Sequence, residues 1–191
     1  MKLLKPWFAP DDTVVLHGKR VTLRTPMIDD FQEWRDLRIK SRSFLEPWEP
    51  LWDDRELTRA NFRTRLGQYR AMQDSDQAYP FLLFTEGQQE MCGGITLSNV
   101  RRGIAQTGTL GYWIGAPFAR RGLMGEAVSV LHGHAFCDLG LHRIEAACLP
   151  SNTASVGLLK RCGFSQEGYA KDYLKIAGQW QDHLLFAKIG S

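Results

Sequence analysis

Cysteine, single-sign charge, repeats and long apolar runs are all scarce in this chain, and each scarcity removes a class of protein. The four cysteines among 191 residues, Cys92, Cys137, Cys148 and Cys162, show no Cys-x-x-Cys spacing. A disulfide framework and a zinc knuckle are therefore not implied, and in their apolar segments the four read as small buried thiols. His132 and His134 stand two apart, so on a helix they point to different sides and do not share an ion; no metal is expected, even with Cys137 nearby. No stretch reaches the roughly 20 apolar residues of a membrane span. The start Met1-Lys2-Leu3-Leu4-Lys5-Pro6 has no apolar core of a signal peptide, so a cytoplasmic chain without a membrane partner is expected. Lys and Arg total 24 against 21 Asp and Glu, a net charge of +3. That mild balance suits a polyanionic ligand and gives no reason to expect a sequence-specific nucleic-acid reader. Internal repeats and low-complexity tracts are missing as well. With 43% hydrophobic residues the chain can bury a core, yet it is short for two, so one domain over 1–191 is expected.

The most informative stretch is Phe118-Ala119-Arg120-Arg121-Gly122-Leu123-Met124-Gly125-Glu126-Ala127. It joins a strand-like run, Leu110 to Ile114, to the start of a long amphipathic helix. Free N–H groups and the positive end of the helix dipole attract anionic oxygens, the glycines allow close approach, and Arg120 and Arg121 add charge. A ligand carrying a pyrophosphate fits this turn; so does an ordinary helix start with two solvated arginines.

Downstream, residues 141–150 alternate as a strand with Ile144, Ala146 and Cys148 on one face, and the strand-helix-strand crossover implies parallel pairing. Ser151-Asn152-Thr153-Ala154-Ser155 then opens a short helix ending at Gly163. Upstream, the pattern predicts a strand near Lys19 to Arg24, a helix from about Ile28 to Lys40, and a second from Arg55 to Met72 with a core stripe of Leu57, Phe62, Leu66 and Tyr69. Between the helices, residues 44–52 hold two tryptophans and two prolines and read as a loop. Strands at Pro80–Phe84, Met91–Leu97 and Gln106–Ile114 form an antiparallel meander around the turn signal 87–89, and two more, around 165–175 and 180–188, end the chain.

This succession resembles the GCN5-related N-acetyltransferase (GNAT) superfamily, with dense similarity over about 108–189. Gly111-Tyr112-Trp113, Gly122-Leu123-Met124 with Glu126-Ala127, His142-Arg143-Ile144, the run Glu167 to Leu174 and Gly178-Gln179-Trp180 with Asp182-His183 are similar to the RimJ-type branch, ribosomal-protein alanine N-acetyltransferases. The resemblance implies an α/β fold, α+β in the strict sense: a mixed, mostly antiparallel sheet with a splayed parallel strand pair and flanking helices. A helical acceptor-side segment at about 28–74 would precede a coenzyme A-binding core at about 79–189. Implied too are acetyl-CoA as cosubstrate, no metal, and direct transfer to the N-terminal amine of a protein, a ribosomal protein beginning with Ala or Ser being the suspected acceptor. A small-molecule amine as acceptor and a non-catalytic acyl-CoA-binding module remain alternatives.

On this resemblance the pyrophosphate sits over Arg120, Arg121, Gly122, Leu123, Met124 and Gly125. A backbone N–H near Trp113 or Ile114 faces the acetyl oxygen, and Asn152 and Ser155 flank the thioester, Ser155 donating to its sulfur or holding a water. Asn152 also suits plain helix capping. Asp172 is the expected base, acting through water on an ammonium of pKa about 8, with Glu167 in reserve. Glu46, Trp48, Glu49 and Tyr173 are placed at the acceptor. Two departures stand out: Ala119 and Met124 differ from the usual loop pattern, and Leu159 occupies the position where many members carry an acidic tyrosine.

Overall fold

The computed structural model describes residues 13–87 and 89–190. Met1 to Pro6, read above for a targeting signal, and Gln88 of the 87–89 turn lie outside the described residues. Eight strands, β1 (Val15–His17), β2 (Val21–Arg24), β3 (Tyr79–Thr85), β4 (Met91–Arg101), β5 (Thr107–Ile114), β6 (Arg143–Cys148), β7 (Ser165–Ile176) and β8 (Gln179–Ile189), form one sheet in the order β1-β2-β3-β4-β5-β6-β8-β7. Short turns keep β1 to β5 antiparallel, whereas the long connection after β5 returns β6 parallel to it. β6 then pairs antiparallel with β8, and β8 with β7.

Among the described residues five α-helices accompany the sheet: α1 (Phe31–Lys40), α2 (Arg42–Leu45), α3 (Arg59–Asp74), α4 (Leu123–Gly133) and α5 (Thr153–Arg161). α3 begins four residues later than its apolar stripe predicts, because the Thr58 side chain accepts from Asn61 N at 3.3 Å and caps the helix there. Such a cap contributes about 1 kcal/mol. Residues 44–52 are not wholly loop either: α2 and a 3-10 turn over Glu46–Trp48 occupy their first half. Pro47 is compatible with that turn because first-turn N–H groups need no intrahelical partner.

The core forms where periodicity places it. Leu23 pairs with Leu83 across β2 and β3, and Ile95 and Leu97 continue the layer on β4, all with essentially no exposure. Ala127, Val128, Leu131 and Ala135 give the helix beginning at Leu123 a buried stripe, and each fully buried leucine contributes about 1.5–3 kcal/mol. Cys92 and Cys148 are buried and Cys162 partly so, but Cys137 is exposed. Helical geometry explains the exception: Cys137 falls on the side opposite that stripe, within a π-helical turn at His134–Asp138. His132 packs against Phe136 and Phe164, while His134 turns toward Tyr79 and Phe81. Among the described residues no group of three His, Cys, Asp or Glu is arranged to hold a metal, and no helix is long and apolar enough to cross a membrane.

The parallel seam is short. β5 and β6 pair only from Thr107↔Arg143 to Thr109↔Glu145. Beyond it, β5 stays with β4 as far as Gly93↔Ile114 and β6 stays with β8 as far as Cys148↔Leu184. The two halves of the sheet diverge, and the β6-facing edge of residues 110–114 is left without a strand partner.

Candidate active site

At one side of this divergence lies the turn before α4. Gly122 is the N-cap with φ 79°, a left-handed conformation that costs glycine little. Arg120 also adopts positive φ, and Arg121 lies 5.6 Å from the Phe118 ring centroid. Leu123 and Met124 point into the core. With their side chains buried, these two residues offer the turn only backbone N–H groups, which an apolar Met124 supplies as well as a small residue would. Arg20 braces the turn from behind. Its Nε donates to Glu126 Oε2 at 2.9 Å, its backbone N to Glu126 Oε1 at 2.6 Å, and its Nη1 to the Arg121 carbonyl at 3.1 Å. Burial alone would raise the Glu126 carboxyl, but the bonds from Arg20 hold it below the ordinary glutamate value.

Across the divergence, Asn152 caps α5, its Oδ1 accepting from Ser155 N at 3.0 Å. That leaves the Ser155 hydroxyl free of the backbone, and it meets Tyr112 Oη at 2.7 Å. Tyr112 belongs to β5, so this contact spans the opened seam. Leu159, one turn further along α5, is 1% exposed and faces the core, so even a tyrosine there would have to displace packing to reach the opening. Trp113 lies flat over β4: a Cβ on Gly94 would stand 2.4 Å from the indole Nε1, and one on Gly93 2.4 Å from the Trp113 carbonyl. The Gly93-Gly94 pair therefore sets the position of the strand whose edge is open.

A cavity of about 440 Å³ opens beside Gly111, Tyr112 and Trp113, roofed by α1, α3 and the loop after α2. Its wall holds Arg38, 5% exposed, which donates to Glu49 through both terminal nitrogens at 2.8 and 2.6 Å. The guanidinium stacks 4.2 Å from the Trp52 ring centroid and 5.0 Å from that of Trp113, and Trp52 Nε1 donates to Glu49 as well. A second pair, Arg65 with Glu56, lines the same cavity. Glu49 thus meets the cavity already charge-compensated. Glu46 is paired with Arg42 on the exposed side of α2, and Glu46 and Trp48 are not part of the wall.

The β7–β8 hairpin supplies the opposite flank. Past Leu184 it has no β6 partner, and at its tip Ala177 N donates to the Glu49 carbonyl at 2.9 Å while Leu51 packs on Gly178. A bulge between Ala170 and Leu174 places Asp172 at φ 45°, its N–H donating to Asp182 Oδ1 at 2.9 Å. Asp172 and Tyr173 are both exposed, and Tyr173 packs edge-on to His183. Neither is part of the cavity wall. Glu167 is held by Arg143 in a charge pair on the sheet surface.

The fold therefore ties Asn152 and Ser155 to β5 through Tyr112, sets Gly125 of the turn against Leu158 and Cys162 at α5, and puts Glu49 and Trp113 on one cavity. Sequence reasoning missed Arg38, Trp52, Arg65 and Gly94. An arginine on an amphipathic helix gives no sign that it is buried, and only the Gly-Gly doublet carried a legible signal, a need for close backbone approach.

A sheet with one parallel seam opening beside an anion-ready helix N-terminus defines an acyl-CoA-dependent transferase class, and the family comparison agrees. The chain belongs to the acetyltransferase (GNAT) domain family, whose model matches residues 20–165. Among its relatives is the [ribosomal protein uS5]-alanine N-acetyltransferase of Escherichia coli, 39% identical over 163 residues, 84% of each chain. The crystal structure of ribosomal-protein-S5-alanine acetyltransferase from Vibrio fischeri superposes with a TM-score of 0.85 at 31% identity, covering 92% of this chain and 96% of that one. Mycobacterium smegmatis RimJ in complex with CoA-disulfide gives the same TM-score and identity over 93% and 87%.

Proposed function

We propose that the protein transfers acetyl from acetyl-CoA to the N-terminal α-amine of a protein, a ribosomal protein beginning with Ala or Ser being the favoured acceptor. The observation that carries this reading is the open β5 edge: it lies between an anion-binding turn and a separate aromatic cavity, so donor and acceptor can meet from opposite sides. Similarity to the E. coli uS5-alanine enzyme over 84% of both chains favours a protein acceptor over a small amine.

The pyrophosphate of acetyl-CoA binds over residues 120–125, where α4 N–H groups and Arg120 and Arg121 meet it. The pantetheine follows the unpaired edge of β5, and an N–H near Trp113 or Ile114 polarises the acetyl carbonyl, stabilising the charge that develops as the amine attacks. Asn152 and Ser155 flank the thioester. The incoming amine rests against the Glu49 side of the cavity; Glu46, Trp48 and Tyr173 lie outside its wall, and only the family resemblance assigns them to the acceptor. Asp172 accepts its proton through water, a task suited to a carboxylate because an amine of pKa about 8 is already partly neutral at pH 7. Turnover with peptides beginning Ala or Ser, set against a panel of polyamines, amino acids and aminoglycosides, tests the reading. Preference for the small amines would replace the acceptor class, and binding of acetyl-CoA without turnover on either set would make the chain a binding module.

A further inference from the structure

We infer that Tyr112 is a positioning residue for the leaving group: its phenol donates to Ser155 Oγ and thereby aims the serine proton at the thioester sulfur. This rests on the acetyl-transfer reading above and adds to it a residue from a different strand.

Three features of the geometry support the role. Tyr112 Oη and Ser155 Oγ are 2.7 Å apart across the opened seam, from residues 43 positions apart on different elements. The contact lies where β5 and β6 have ceased to pair, so it serves no sheet ladder. Ser155 N is already bound to Asn152 Oδ1, which fixes the serine backbone and leaves its hydroxyl as the group free to choose partners. A serine hydroxyl has one proton and two lone pairs. With the Tyr112 phenol on one lone pair and the neutral Cys148 thiol, which also reaches this hydroxyl, on the other, the serine proton is left for the opening.

The direction of the bond follows from the chemistry of the two hydroxyls. A phenol is the stronger donor and an aliphatic hydroxyl oxygen the stronger acceptor, so over the 2.7 Å contact Tyr112 donates to Ser155, and burial keeps the phenol protonated. The titratable groups facing the pair are Cys148 of β6 and Cys162 beyond α5, both with thiols raised by burial and hence neutral near pH 7. In the reaction the new C–N bond forms, the C–S bond breaks, and the electron pair leaves on sulfur. The amine proton passes through water to Asp172 and from there to solvent, and the thiolate, held by the Ser155 hydrogen bond, later takes its proton from solvent. Tyr112 and Ser155 finish with the protons they began with. The arrangement answers the missing tyrosine at position 159 with a phenol from β5 acting through a serine.

The test is titration of the CoA thiol in the enzyme–CoA complex, followed by thiolate ultraviolet absorbance against the same enzyme carrying desulfo-CoA. No acceptor is needed, so a mistaken acceptor assignment leaves the result untouched. The bound thiol should ionise below free CoA in the wild type. Tyr112→Phe and Ser155→Ala should each move it up by about 1–2 pH units, as for loss of one hydrogen bond to a charged group. The double variant should go no further, and Ser155→Thr should retain the wild-type value. A wild-type thiol titrating as free CoA does, a Tyr112→Phe thiol at the wild-type position, or additive shifts in the double variant would each overturn the proposal. Stopped-turnover measurement gives a second readout: Tyr112→Phe should lower kcat roughly 3- to 10-fold with acetyl-CoA affinity unchanged, and that loss should vanish in a Ser155→Ala background.

Discussion

Arg38 and Glu49 form a two-bond fork, 2.8 and 2.6 Å long, whose guanidinium lies between the rings of Trp52 and Trp113. Because the Glu49 carbonyl also accepts from Ala177 N, this one pair links α1, the loop after α2, the end of β5 and the tip of the β7–β8 hairpin. Removing the carboxylate leaves a buried guanidinium uncompensated. Glu49→Ala should therefore destabilise the protein by roughly 3 kcal/mol, seen as a lowered urea midpoint, and raise the acceptor KM while acetyl-CoA affinity stays within about twofold. An unchanged midpoint with a raised KM would make Glu49 an ammonium-binding group only.

The turn before α4 should be sensitive at Gly122 and tolerant at Arg120. Gly122 has φ 79°, and a Cβ there would also press on the Arg20 guanidinium at 3.2 Å. Gly122→Val is expected to weaken CoA binding more than tenfold by calorimetry, since a β-branched residue resists that backbone and the loop must move. Arg120→Ala removes one exposed charge and should cost about 1 kcal/mol or less. Equal losses in the two variants would contradict a backbone-dominated anion site.

Asp172→Asn separates base from binder. If the carboxylate relays the ammonium proton, kcat at neutral pH should drop about 10²-fold and recover as pH passes the amine pKa of about 8. A change confined to acceptor KM, with kcat preserved across pH, would assign Asp172 to holding the ammonium.

Acid stability should depend on His132. Its ring is buried beside Phe164, its Nδ1 accepts from Lys188 Nζ at 3.2 Å, and burial together with the Lys188 charge lowers its pKa from 6.5 to about 4. The sign is that of a group kept neutral by folding. Stability is fully present above pH 6.5, then falls as the unfolded chain takes up the proton first, levelling near pH 4. The loss is on the order of 3 kcal/mol at about 1.4 kcal/mol per pH unit. His132→Gln should flatten the difference curve between pH 6.5 and 4 in denaturation experiments; a parallel curve would show that the carboxylates alone set the acid limit.

Direct transfer should survive loss of the cysteines. Cys92 is pushed up to about 12 by burial, and Cys148 and Cys162 are raised for the same reason, so none is a ready thiolate. Replacing all four by Ala or Ser should leave kcat within a few-fold, provided circular dichroism shows the fold intact. A burst of free CoA without acceptor would reveal an acetyl-enzyme.

Local sequence signals were enough for the glycine turn before α4, the Asn152 cap and most strands, because each depends on residues within one element: glycine where φ is positive, Asn at a helix start, alternation over β6. They also carried the family resemblance. The cavity and the contact across the seam required the tertiary structure. Nothing in the spacing from Arg38 to Glu49, or from Tyr112 to Ser155, marks a contact; the first arises when α1 packs beside the loop after α2, the second when the sheet opens after Thr109. Burial decides their chemistry as well, since the same arginine or phenol on a solvated face would be screened and free to move. The sequence by itself determined where the turns and helix caps would form and which segments would become strands. Only the tertiary structure decided which polar side chains lost their water and had to find each other.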